Sequence, residues 1–341
     1  MSTNIIEPFR RHLQAAFDNE NIHTRLEENA KKAVSQLNNC GLVSIKLTNV
    51  KKAFEKDIAK KNEPFEVFIV GEGNFGKSTF INAILGSYVA EVDKKPKTWC
   101  FNRYIAVPEP LQNVRLFVEE NLSSNKYSHL ISKLGKPIGK SHGLDEYNLP
   151  REIAEEIYRM EDERSKPGNK TYHSPIMEIE WQISSSNTIV PGIRLTDTQG
   201  LNQLHADNEH KHYLKWQYER ADAIVWMLTK DKIESQNTLK ELLYYNRYSK
   251  PIILVLNRWD EVPDASKDKL FEKTKSIYGN YVNSIIPFSA LQAFLAIKPL
   301  NYEYTSNDRL LLTRRWHLSH WNELREISGI DLLQDTFRNV A

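Results

Sequence analysis

Only two cysteines, Cys40 and Cys100, occur in the 341 residues. They stand far apart and form no metal-ligand spacing, so a disulfide framework or a cysteine-zinc site is excluded, and a reducing, cytoplasmic setting is expected. Long apolar runs are missing too. The longest, around "IVWML" and "PIILVL", have strand length and fall short of the ~18 residues that a membrane span needs. Charge of one sign is also lacking: 46 basic residues against 44 acidic ones leave a net charge of +2, so no global field draws the chain to nucleic acid or anionic lipid. No internal repeat period stands out. The first residues carry Glu7 and Asp18 beside the Arg10 and Arg11 pair, which makes a poor targeting signal and a good start for a helix.

What is present is ordinary globular composition, 40% apolar and 26% charged, at a length that predicts one large domain with insertions or a core plus an appendage. Ile22, Leu26, Ala30, Ala33 and Leu37 fall at helical spacing, so residues 1–63 are expected as an N-terminal helical appendage. The remainder, 64–341, reads differently. "FEVFIV" predicts a short buried strand, and further strands are expected at 102–107, 114–119, 177–183, 192–197, 223–228, 252–257 and 284–289. Helical patterns at 207–220, 233–247 and 265–278 separate the later ones. Alternation of this kind predicts an α/β fold, a doubly wound and mostly parallel sheet covered on both faces. Two stretches break the rhythm and are expected as insertions, at about 120–175 and 291–325.

The chemistry concentrates in "GEGNFGKSTF", residues 71–80. Gly71, Gly76, Lys77 and Ser78 satisfy G-x-x-x-x-G-K-[ST] between a predicted strand and a predicted helix. Glycines let the backbone N–H groups of the loop, through Asn74, Phe75 and Thr79, turn inward on phosphate oxygens at a helix N-terminus. Lys77 would reach the β and γ phosphates, and the Ser78 hydroxyl would ligand magnesium. Three later segments bear on which nucleotide. "DTQG" places Asp197 and Gly200 at a strand end, for a magnesium water and a γ phosphate. "NRWD" places Asn257, Arg258 and Asp260 at another, where Asp260 can accept from the N1–H and the amine of guanine, donors that adenine does not present together. "FSA" places Ser289 and Ala290 at the next, to offer a backbone N–H to the guanine oxygen. Each is weak alone; their order and their common position after strands carry the reading.

With these motifs the chain resembles the P-loop GTPases of the translation-factor-like class. "GEGNFGKSTFINAILG" is most similar to the bacterial dynamin-like GTPases, and it is also similar to ribosome-assembly and tRNA-modifying GTPases. The resemblance implies hydrolysis of GTP to GDP and phosphate, with Mg2+ held by Ser78, Asp197 and Thr98. Pro96 before Thr98 echoes the family's P-x-T pattern. Lys77, Thr98 and Asn74 are the implied catalytic residues, Asn74 by holding K+ near the β and γ phosphates. Such a cation often accompanies pairing of two GTPase domains, so a homodimer through the nucleotide face is expected, with slow turnover by the monomer. Departures are present: Arg258 stands for the usual lysine, Gln199 for a common proline, and Gly73 where eukaryotic dynamins carry a glutamine. Leu201 follows the D-x-x-G box, where Ras-like proteins orient water with glutamine; leucine has no hydrogen bond to give.

Remaining features read more plainly. His205, His210 and His212 lack further ligands for zinc and are expected as solvated residues. The stretch "RRWHLSHW", 314–321, could touch lipid or a nucleic-acid strand, but its tryptophans are expected to pack on the N-terminal helices. The lysines at 126, 133, 136 and 140 read as a solvated face. A partner protein or a peripheral membrane contact is expected, and nucleic acid is not. Two other functions stay open: a non-catalytic GTP-dependent switch, and an RNA- or ribosome-associated assembly GTPase.

Overall fold

Runs such as Phe65–Val70, apolar at nearly every position, have no face to offer to water, so they need a sheet covered on both sides. The computed structural model describes residues 64–90 and 99–340, apart from 111, 121, 123–126, 142, 166–171, 173, 191, 199–217, 219 and 247–249. Ten strands are seen among the described residues: β1 (Phe65–Val70), β2 (Phe101–Val107), β3 (Asn113–Glu119), β4 (Gly139–Ser141), β5 (Leu144–Pro150), β6 (Ile176–Ser184), β7 (Ile193–Asp197), β8 (Ala223–Thr229), β9 (Ile252–Asn257) and β10 (Ser284–Pro287). They form one sheet in the order β10-β9-β8-β1-β7-β2-β6-β3-β5-β4. From β10 to β7 every pairing is parallel. Beyond β7 the pairings are antiparallel except that of β2 with β6.

Side chains alternate across a strand, so β1 sends Val67 and Ile69 to one face and Phe68 and Val70 to the other. On the first face lie α1 (Lys77–Leu85), α6 (Ala290–Ile297) and α9 (Ile330–Val340), contributing Phe80, Ile84, Phe294, Leu333 and Phe337 to the largest cluster. On the second, Trp226, Tyr245 and Tyr278 pack between the sheet, α4 (Gln236–Asn246) and α5 (Asp264–Tyr278). A third cluster joins Leu116, Leu149 and Ile179 of the far strands to α3 (Arg151–Arg164).

α1 begins after Gly76 at φ 83° and ends at Gly86 at φ 62°. A side chain at Gly86 would put its Cβ 2.1 Å from the Asn187 carbonyl oxygen, so the left-handed turn and the close approach both require glycine there.

The expected insertion at 120–175 contains the hairpin β4-β5, which extends the sheet, together with α2 (Ser128–Leu134) and α3. The stretch 291–325 is largely helical: most of α6, then α7 (Ser306–Leu310), a π-helical turn (Leu311–Arg315) and the start of α8 (Glu323–Ser328). The appendage expected at 1–63 and most of the helix expected at 207–220 lie outside the described residues. No helix of the described residues is long and apolar enough to cross a membrane.

A group of charges is buried within the sheet. The Arg103 guanidinium, 4% exposed, lies 3.2 Å from Glu66, 2.7 Å from Glu178 and 3.0 Å from Glu180. Arg194 and Arg220 also reach Glu66, at 3.4 and 2.9 Å. Burial alone would lower the Arg103 ionisation, but the three glutamates outweigh it and hold the guanidinium above the usual arginine range.

Candidate functional site

Parallel strands send their carboxyl ends to one edge, so the loops after β1, β7, β9 and β10 gather there. The loop after β1 is shaped by two residues at positive φ, Asn74 at 66° and Gly76 at 83°. A Cβ on Gly76 would stand 2.5 Å from the Asn257 amide nitrogen, which leaves room only for glycine. The Phe80 N–H then donates to the Gly76 carbonyl at 2.9 Å and the helix begins. Lys77 lies buried across the loop, and its ammonium donates to the carbonyls of Gly71 at 3.1 Å and Glu72 at 3.3 Å. Burial pulls Lys77 below the usual lysine range, against the opposing pull of Asp197. Ser78 and Thr79 follow in the first turn, both partly exposed. Asp197 ends β7 beside Ile69 of β1, buried at 3% exposure. A hydroxyl and a carboxylate next to the phosphate loop are hard oxygen donors, the type that suits magnesium. Among the described residues no cluster of three or more His, Cys, Asp or Glu side chains forms a metal site.

At the other end of the edge, Asn257 joins two loops. Its amide nitrogen donates to the Phe75 carbonyl at 2.6 Å, and its amide oxygen accepts from the Ala290 N–H at 2.8 Å. Arg258, at φ 61°, donates from its guanidinium to the Asn74 carbonyl at 2.6 Å. The loops after β1 and β9 are therefore tied by side chains that sequence places 182 and 184 positions apart. Asp260 accepts at Oδ1 from the Ser289 hydroxyl at 2.7 Å. The Ser289 oxygen also caps α6 by accepting from the Gln292 N–H. The N–H groups of Ser289 and Ala290 themselves go to the Ser328 carbonyl and to Asn257.

The sequence-derived residues Gly71, Asn74, Phe75, Gly76, Lys77, Ser78, Thr79 and Asp197 thus meet Asn257, Arg258, Asp260, Ser289 and Ala290 along one edge. Thr98, Gly200, Leu201, Gln199, Gln203 and the three histidines at 205, 210 and 212 lie outside the described residues. Two residues at the site had not been expected there. Arg315 donates to Asp260 Oδ2 at 2.7 Å, and the Trp316 indole N–H donates to the same oxygen at 3.3 Å. Both belong to "RRWHLSHW". Its tryptophans pack on the core of this domain, with Trp321 stacked on Tyr304 at 4.0 Å; the N-terminal helices expected as their partner fall outside the described residues. The alternation of bases and aromatics was the available signal, but nothing in the sequence pairs it with Asp260.

A family model described as the dynamin family matches residues 67–259, more than half of the chain, from within β1 to the Trp259 of "NRWD". The chain belongs to the dynamin family. Its P-loop GTPase fold agrees with a solved structure of an oligomerised bacterial dynamin pair, described as providing a mechanism for the long-range sensing and tethering of membranes. That match has a TM-score of 0.50 at 17% identity, over 92% of this chain and 51% of the other. This dynamin-family chain spans about half the length of that protein. An Era variant from Aquifex aeolicus, bound to GDP and aluminium fluoride, is similar at a TM-score of 0.35 and 17% identity, over 75% of this chain and 57% of the other. Among curated proteins nothing matches this sequence.

Proposed function

We propose that this dynamin-family chain binds GTP along the carboxyl edge of β1, β7, β9 and β10 and hydrolyses it to GDP and phosphate. The observation that carries the reading is the double role of Asn257, which fixes the phosphate loop to the base loop with Lys77 on one side and Asp260 on the other. Lys77 leaves the two carbonyls that hold it and neutralises the β and γ phosphates, its burial strengthening that attraction. Ser78 and Asp197, with Thr98, would hold Mg2+, which when bound spreads the charge that develops on the phosphates. Asp260 reads the guanine edge. Asn74 would hold K+, and the exposed loop around it would pair with the same face of a second copy, which supports turnover that rises with protein concentration. A cytoplasmic protein that touches a membrane or a partner from outside fits this reading, with residues 1–63 as a helical appendage.

Calorimetry with GTP and ATP in the presence of magnesium, followed by phosphate release in potassium and in sodium over a range of protein concentration, tests it. GTP binding that Asp260→Ala removes, with potassium-stimulated and concentration-dependent release, is the expected result. Equal affinity for ATP would overturn the base assignment. Tight GTP binding without any release would leave the chain a switch and not an enzyme.

A further inference from the structure

The Asp260 side chain is 5% exposed, and its carboxylate is already engaged by the protein itself. Oδ1 takes the Ser289 hydroxyl; Oδ2 takes both Arg315 at 2.7 Å and the Trp316 indole at 3.3 Å. A carboxylate oxygen offers two lone pairs, so Oδ2 has none left for a ligand in this arrangement. The group on it is chemically telling. A guanidinium presents adjacent N–H donors around one carbon, and the N1–H and C2 amine edge of guanine presents the same donors around the same kind of carbon.

We propose that Arg315 is an internal competitor of guanine: the Arg315 contact and the purine claim the same oxygen of the base-reading carboxylate, so Arg315 has to leave before the purine can dock. This rests on Asp260 as the guanine acceptor. The segment that carries Arg315 is built to be displaced. It follows α7, whose start is fixed by a reciprocal cap between Thr305 and Asp308. It then widens into a π-helical turn over Leu311–Arg315, in which the Trp316 N–H reaches back to the Leu311 carbonyl at 3.1 Å. His317 leaves the turn at φ 55°, a left-handed conformation unusual for a side-chain-bearing residue. Extra residues wound into a helix are less stable than regular turns and are found where an element must adjust. Arg315 itself is 36% exposed, with Glu261 as a second partner at 3.4 Å, so it can swing from Asp260 toward Glu261 without being stranded. The consequence is selection as well as delay. Guanine can replace the single donor that Arg315 Nη2 withdraws and add a second beside it, whereas a base with one donor on that edge only exchanges like for like.

The test uses the whole chain and GDP with magnesium, measured by calorimetry for the wild type, Arg315→Ala, Asp260→Ala and the double variant. Arg315→Ala is expected to tighten GDP by roughly two- to fivefold, the range appropriate to a partly exposed charged contact. The gap from wild type should shrink as salt is added, because screening weakens the internal contact. In the double variant the gain should vanish. GDP bound equally or more weakly by Arg315→Ala, while Asp260→Ala loses binding, would overturn the competitor and leave the base site intact, Arg315 then being a clasp on the bound purine. No effect of Asp260→Ala would instead remove the base assignment on which the competitor depends. Near-ultraviolet circular dichroism that matches wild type shows the variants to be folded.

Discussion

From β10 to β7 the strands run parallel and bury residues such as Leu254, Val225 and Trp226 on both faces, whereas from β2 outward they run mostly antiparallel and bury Arg103 among three glutamates. The contrast is one of direction as much as of polarity. Parallel strands deliver every carboxyl end to the same edge, so the loops holding Lys77, Asp197, Asn257 and Asp260 converge; antiparallel strands alternate their ends and gather no such set. The candidate site therefore belongs to one half of the sheet, while the other contributes breadth, and the charge network bridges them through Glu66 on β1 and Glu178 and Glu180 on β6.

Disrupting the network should break the comparison most visibly. Arg103→Met takes from Glu66, Glu178 and Glu180 the cation they share and leaves them only Arg220, Arg194 and Arg115, so urea unfolding should show a loss of about 3 kcal/mol, the low end for a broken buried pair. GDP affinity, measured where the variant is still folded, should stay near wild type. A parallel fall in affinity would mean that the halves are not separable. Asn257→Ala acts on the other half: the Phe75 carbonyl and the Ala290 N–H lose their partner, so stability should fall by about 1–3 kcal/mol and GDP affinity by roughly tenfold or more. The smallest effect is expected at Tyr278, whose hydroxyl donates to the Ile233 carbonyl at 3.0 Å. Tyr278→Phe should cost about 1 kcal/mol. Burial pushes the Tyr278 phenol up to about 12. The unfolded phenol ionises near its ordinary value of 10, so this contribution is whole below pH 10 and is lost as the pH rises toward about 12. In Tyr278→Phe that part of the alkaline fall should be missing from the pH profile of urea stability.

Legibility in the sequence follows the same divide. β1 and β9 are runs of apolar residues with motif residues directly behind them, so their place and the nearby site residues could be read to within a residue or two, and β8 could be placed from its apolar run alone. β4, "GKS", is polar at the sheet edge, where one flank has no strand to cover it, and β5, "LDEYNLP", lies between β4 and β3 but is broken by polar residues, so the apolar run that marks a buried strand is absent from both. Nothing in the sequence singles out Arg103 inside the strand expected at 102–107, because its glutamates arrive from β1 and β6. Arg315 was hidden for the same reason: it meets Asp260 across 55 positions, and only the fold brings them together.

The side chain of Asn257 has a consequence for what the cleft accepts. One amide holds the loop after β1 to the loop after β10, so the span between the two is set by covalent geometry and two short hydrogen bonds. On the proposed reading of this edge as a GTP site, the cleft would work as a caliper, gauging the length of a guest from ring to tail.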